Sequence, residues 1–319
     1  MKKIILIFIS ACSTIAAQLP IERVIIWGHP LHSHTHSYIH WGFYRAFEHL
    51  GYETHWVKSI NELKNVPLKN SLFLTAGTCD NGIPIRTDCW YILHNCNKEK
   101  YQSITSANKA VFMQVYTHDV ISQNIEKIDT CVYRSIERKA LYMPWATDLL
   151  PHEIEENKHR IQKQKSHTIN WIGTVWSGKF GNITQINNFK KACAENGISF
   201  QVKRHVSTQE NKDLIQRSYI APAIQGKWQC EKGYIPCRIF KNVSYGQMGI
   251  SNSKIVYDLF EHKIVYNPNC YQLFYDAQKK MQSITTQEIH TIMDLVRDKH
   301  TYLNRIKILL DTLEMIHQN

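Results

Sequence analysis

Four histidines fall within eight residues, His29, His32, His34 and His36, in the stretch from Gly28 to His40. An imidazole titrates near neutral pH, so a histidine there can take the proton from an attacking hydroxyl. His32, His34 and His36 are the candidate catalytic bases. Alternating His-x-His can also chelate a metal. No Asp or Glu lies near, and the spacing is that of no known helical motif, so no metal ligand is assigned. A cleft-lining or basic role ranks first, a structural polar loop close second, a metal site third.

A second constellation surrounds Arg238. A diphosphate needs positive charge and free backbone N–H donors. Arg238 and Lys241 stand three residues apart, on one turn of a helix. Asn242, Ser244, Gly246, Gln247, Gly249, Ser251 and Asn252 can form a turn of exposed amides ahead of a helix over Asn252–Phe260. The plainer alternative is a surface helix followed by an ordinary glycine turn. Gly173 and Thr174, in Trp171–Gly178, would let an anion approach the backbone closely. Arg204 and His205 follow another strand, and Lys227 and Trp228 sit where a nucleotide base could stack. His118 and Asp119 suit a base with its orienter or, more simply, a capped turn. Asn182-Ile-Thr184 and Asn242-Val-Ser244 are sequons; a glycan on the second would argue against an anion site there.

The elements that must position these groups follow from the apolar pattern. Strand Val24–Trp27, helix His40–Leu50, Gly51 and strand Tyr52–Val57 make a βαβ unit, so a parallel sheet is expected. Strands follow at Ser71–Ala76 and Ala110–Tyr116, with a short extended piece at Tyr142–Trp145. The polar, charged stretch Pro151–Ser166 marks a boundary. Strand Ile169–Gly173 and helix Ile183–Asn196 then restart the pattern. They are followed by strand Ile198–Val202, helix Lys212–Tyr219, strand Ile220–Ile224, helix Ser253–Phe260 and strand Ile264–Tyr266. Helical spacing runs through Thr286–Gln318. The expected class is α/β, two Rossmann-like doubly wound domains facing a cleft, with a C-terminal helix. The expected parts are a leader over 1–18, an N-terminal acceptor domain over 19–150 and a linker over 151–166. A nucleotide-sugar domain over 167–285 and a helical segment over 286–319 complete the chain.

Size and composition agree with two packed domains: 319 residues, 43% hydrophobic and 20% charged. The net charge of +11 suits an anionic ligand. The basic residues are scattered, in short clusters such as Lys98–Lys100, and form no stripe with aromatics, which argues against nucleic acid. Sixteen Tyr and eight Trp favour broad polar-aromatic contact surfaces. Nine cysteines include no CxxC pair, so a zinc ribbon is not expected. Some of them pair as disulfides if the chain is exported; buried free thiols are the equal alternative. Lys2 and Lys3 before Ile4–Ile9 and small residues through Ala17 form a signal-peptide pattern, too short to span a bilayer. Ile9–Cys12 is similar to a bacterial lipobox, which would tether the chain through Cys12. Export or membrane tethering is therefore expected, with a cytoplasmic location as the alternative.

The segment Gly233–Gly249 resembles the donor-site block of GT-B glycosyltransferases, especially the spore-protein-type group. That block reads roughly Pro-x-Arg-x-Phe-Glu, a helix of small residues, then a Gly-rich turn. Pro236, Arg238 and Phe240 match, and Gly246 and Gly249 fall in the turn region. Asp258–Phe260 and Tyr266–Tyr275 look like the group's continuation, and the resemblance spans about 171–280. Lys241 departs from the pattern, which has at that place a Glu that commonly holds the donor ribose. Neither Glu231 nor Glu261 can be assigned instead. The resemblance implies a metal-independent enzyme with no cofactor, taking a nucleotide sugar as substrate and a glycan or other hydroxyl acceptor. Arg238 and Lys241 would stabilise the leaving diphosphate, and the histidine loop would border the acceptor. The rivals are a non-catalytic glycan- or nucleotide-binding protein on the same fold, which Lys241 favours, and an exported metal-dependent hydrolase centred on the histidine loop.

Overall fold

The structure, a computed structural model, describes residues 19–75, 82–94, 109–116, 125–161 and 166–319. The proposed leader with Cys12, Cys79, Cys96, the Lys98–Lys100 cluster, the His118–Asp119 pair and residues 162–165 lie outside them.

Apolar runs make the first sheet. Arg23–Trp27 (β1), Ser71–Thr75 (β3), Trp90–His94 (β4) and Ala110–Gln114 (β5) are buried almost throughout, as strands covered on both faces must be. Glu53–Val57 (β2) is the edge strand, and Ala140–Tyr142 (β8) ends the parallel part. Glu126–Asp129 (β6) and Val132–Ser135 (β7) add an antiparallel hairpin that the sequence pattern does not announce. The order is β2-β1-β3-β4-β5-β8-β7-β6. Helix Ser37–His49 (α1) joins β1 to β2, while β3 flanks β1 on the other side. The order therefore reverses at β1, and in open α/β sheets ligands bind beyond the strand ends at such a point. The chain leaving β1 is the histidine loop.

Within the polar boundary stretch, Pro151–Lys158 forms a helix (α2). Its Ile154 enters the second core, and its Glu155 and Lys158 pair with Arg297 and Asp294. Thr168–Ile172 (β9) and Ser199–Lys203 (β10) pair in parallel across helix Ile183–Glu195 (α3). Thr208–Arg217 (α4), capped by Ser207, leads to Tyr219, whose amide donates to Thr168. The strand expected over Ile220–Ile224 is only a bridge, from Ala223 to Ser251 of Ile250–Ser251 (β11). Two short helices, Lys227–Glu231 (α5) and Cys237–Ser244 (α6), precede β11. Lys254–Leu259 (α7) and Val265–Tyr266 (β12), which pairs with β11, follow it. Cys270–Ser283 (α8) packs on α3 through Phe274 and Phe189.

The C-terminal helical stretch is two helices, Thr286–Lys299 (α9) and Tyr302–Gln318 (α10), because Thr285 and Thr301 each close a capping box. Helix α9 buries Ile292, Met293 and Val296 in the second core. Helix α10 buries Tyr302, Ile306, Leu309, Leu313 and Ile316 in the first. The chain thus crosses back to the domain where it began. The crossing is pinned: the Thr147 amide donates to His300, and buried Arg305 donates to the carbonyls of Pro144, Trp145 and Lys299. Arg305→Ala leaves three carbonyls without their donor and should cost about 3 kcal/mol in urea unfolding. Exposed Lys307→Ala should stay within about 0.5 kcal/mol of wild type. Equal losses would mean that Arg305 does not hold the crossing.

Candidate active site

The histidine loop does not treat its three candidate bases alike. His34 Nδ1 accepts the His36 backbone N–H at 3.2 Å, so that lone pair is occupied. His36 is pushed down to about 4, first by burial and then by His34 and His29, and stays neutral at physiological pH. His32 has a left-handed backbone, φ 68°, held by its N–H donating to Ser37 Oγ at 3.1 Å. Its Nδ1 lies 3.2 Å from the Tyr38 hydroxyl, and its carbonyl 3.1 Å from Nδ1 of His205. His205, after β10, is itself left-handed at φ 55°. Strain of this kind persists only where surroundings over-determine it. The rings of His29, His34 and His36 stack at 4.2 and 5.1 Å rather than converging on a point. Among the described residues there is no group of three or more His, Cys, Asp or Glu that could hold a metal ion.

Arg238 opens α6 one residue after Cys237, facing the start of the second domain. Its guanidinium lies 3.7 Å from the Trp171 ring centroid and donates to the Ile172 carbonyl at the end of β9. A Cβ on Gly173, whose φ is +121°, would sit 2.9 Å from an Arg238 nitrogen, so glycine is needed for this approach. Burial pulls the guanidinium down to about 10, and it remains charged at neutral pH. Gly173 and half-buried Thr174 thus share one strand end with Arg238, while Arg204 is exposed after β10.

Lys241 takes a different partner from the one expected. Its ammonium lies 2.8 Å from Asp148, whose side chain is 3% exposed, and Asp148 also accepts the Tyr245 hydroxyl at 3.2 Å. Burial opposes the charge most, but Asp148, Tyr245 and Cys237 together outweigh it and hold the ammonium above its ordinary pKa. The Lys241 nitrogen also lies 5.5 Å over the ring of Tyr38. Its charge is therefore neutralised inside the junction and is not presented to a ligand.

The proposed amide cradle is packing instead. Asn242 donates to the Ala221 carbonyl, Ser244 Oγ lies 2.8 Å from Thr147 Oγ1, and Gln247 donates to Ile215, Gln216 and Ser218. Asn252 exchanges bonds with the Gln225 backbone. Gly246 is buried, and a Cβ on Gly249 would lie 2.2 Å from Ile264. These six are buried and make no anion-facing turn, and α7 is too short to offer a helix-end site. The sequon residues Asn182 and Asn242 are buried as well, at 9% and 3% exposure, which argues against glycans on the folded chain. The described cysteines, Cys230 and Cys237 included, are free thiols.

Tyr38, Asp148, Trp145 and Tyr234 join the site without any local signature. Trp145 packs on His94 and His36 and hydrogen-bonds Tyr234, which stacks on Tyr116 at 5.4 Å. Trp228 meets Tyr116 at 5.1 Å. Side chains of both domains thus interleave between the histidine loop and Arg238.

No protein-family model and no curated protein matches the sequence. The fold is similar to that of an alpha-glucosyltransferase in complex with UDP and a 13-mer DNA containing a HMU base. Identity is 10%, TM-score 0.59, covering 91% of this chain and 98% of that one. An alpha-glucosyltransferase in complex with UDP matches at TM-score 0.55 and 10% identity, over 90% and 98%. The chain thus has the two-domain GT-B fold.

Two outcomes follow. Lys241→Met leaves Asp148 buried with the Tyr245 hydroxyl alone and should cost about 3–5 kcal/mol, most of it recovered in the Lys241→Met/Asp148→Leu double variant. A single variant as stable as wild type would show the pair to be solvated. His94 is held down at about 3, by burial first and then by His36 and His40, against an ordinary 6.5. The unfolded chain therefore binds protons between pH 6.5 and about 3 that the folded chain refuses. Stability is full above pH 6.5 and falls on acidification. His94→Asn should flatten the urea-midpoint slope between pH 6.5 and 4.5; an unchanged slope would exonerate His94.

Proposed function

We propose that the chain transfers a sugar from a nucleotide sugar to an acceptor hydroxyl. The carrying observation is a line of contacts between the domains. His32 touches Tyr38, Tyr38 lies under Lys241, and Lys241 stands one helical turn from Arg238. A base and a fixed cation flanking one crevice is what displacement at an anomeric carbon needs. The base takes the acceptor proton, and the cation stabilises the charge growing on the departing diphosphate.

Among the histidines we assign the base to His32. If Nδ1–H donates to the Tyr38 hydroxyl, Nε2 keeps its lone pair for the acceptor. His34 has its Nδ1 occupied, and His36 is too weak a base. Arg238 alone takes the diphosphate, since Lys241 is neutralised by Asp148. Gly173 and Thr174 give the phosphate room beside it. The UDP in the structural neighbours supports a uridine nucleotide as the first donor to try. The Pro236–Arg238–Phe240 pattern supports a place beside the spore-protein-type group. We propose no metal or other cofactor. The DNA in the first neighbour belongs to that protein; scattered basic residues here support a different acceptor. The committed Lys241 also favours a binding-only variant of the same fold, distinguished by affinity without turnover.

Addition of UDP should raise the melting temperature of the wild type. Arg238→Ala should abolish that shift and lower kcat/KM by about 100-fold or more. His32→Ala should keep the shift and lower kcat by about 100-fold. A shift that survives Arg238→Ala would remove this residue from the donor site.

A further inference from the structure

The loop Trp176–Asn182, leaving β9 toward α3, carries aromatic surface that no described residue covers. Trp176 is 59% exposed and Phe180 58%. The loop is nonetheless pinned. The Trp176 N–H donates to Asn182 Oδ1 at 3.2 Å, and its carbonyl accepts the N–H groups of Asn182 and Ile183. A Cβ on Gly181 would meet that carbonyl at 2.2 Å, so the loop closes tightly on itself. Two large rings held out from a fixed loop lose little freedom on binding and leave apolar area in water until something covers it.

Phe180 meets Trp228 edge to face, 4.7 Å between centroids at 82°. Trp228 in turn meets Tyr116 at 60°. Tyr116 lies just past β5 in the first domain, so the aromatic shelf runs from the second domain's first loop across the junction. We infer that this shelf binds a carbohydrate, and that in the proposed transfer reaction it is the acceptor subsite. Only the word acceptor rests on the transferase reading; the sugar-binding surface stands on the shelf itself.

Ring geometry and charge select the ligand class. A nucleic-acid strand is held chiefly by a groove of cations that tracks its phosphates, with bases stacked on open aromatic faces. Phe180 and Trp228 stand near perpendicular, and Trp228 and Tyr116 meet at 60°. Of the two lysines beside them, Lys179 lies over the Phe180 ring at 5.7 Å, and Lys227 faces Glu231 at 3.9 Å. Perpendicular aromatic faces form a corner. Their negative π-faces attract the C–H groups on the flat sides of a pyranose, while its hydroxyls stay in water at the edge.

The test uses the full chain, without donor, on a glycan array and against a twelve-residue oligothymidylate, with intrinsic tryptophan fluorescence to titrate the hits. At least one glycan should bind, and Trp176→Ala/Phe180→Ala should weaken it by ten-fold or more. Trp176→Phe/Phe180→Tyr should retain it. Both variants should melt with the wild type and keep the UDP-induced shift. No glycan binding, or binding indifferent to the alanine pair, overturns the proposal. Oligothymidylate binding lost in the alanine pair assigns the shelf to nucleic acid and overturns it equally. Glycan binding in a protein that shows no UDP shift upholds the shelf and overturns the transferase reading alone.

Discussion

Helix α6 lies where the two domains meet, and one buried charge pair fixes it there. Lys241 reaches across to Asp148, which follows the last strand of the first domain. Water is excluded from both partners, so the attraction is screened little, while separating them would strand a carboxylate in an apolar setting. Arg238, one turn earlier, inherits its position from that anchor. Its guanidinium is aimed at Ile172 and Gly173, and the second sheet's first strand end becomes cationic.

The first domain answers with a loop under similar constraint. His32 and His205 both adopt the left-handed conformation that most side chains avoid, and they touch each other across the junction. The serine and histidine contacts of His32 fix its backbone, and Tyr38 meets its imidazole, within a run of five histidines. Crossing of the chain at His300–Thr301 ties the last helix beside α1, directly behind this loop. Helix α1 and the last helix thus share the core behind the histidine loop.

Much of the architecture was legible in the residues, and the site only partly. Buried runs such as Val24–Trp27, and glycine stops such as Gly51 and Gly197, disclosed the alternation of strand and helix. Strand β4 went unread, although Trp90–Leu93 is an apolar run of the same kind as those of β1 and β3. The polar hairpin Glu126–Ser135 looks like loop until β8 is beside it. Arg238 stood out by its motif. The small polar residues after it suggested an anion turn, yet Asn242, Ser244, Gln247 and Asn252 satisfy neighbouring groups of the protein interior. A side chain that bonds a phosphate and one that bonds a buried carbonyl are the same residue type, and only burial separates them.

By itself the sequence determined the two βα series, the basic character of the Arg238 block and the clustering of histidines, since each depends on local periodicity or residue type. The tertiary structure decided that His32 meets Tyr38 while His34 accepts the His36 amide, that Lys241 pairs with Asp148, and that Tyr38 and Tyr116 meet helices more than a hundred residues away. Those outcomes depend on distances between residues remote along the chain, and such distances are set by packing of the whole rather than by any stretch of it.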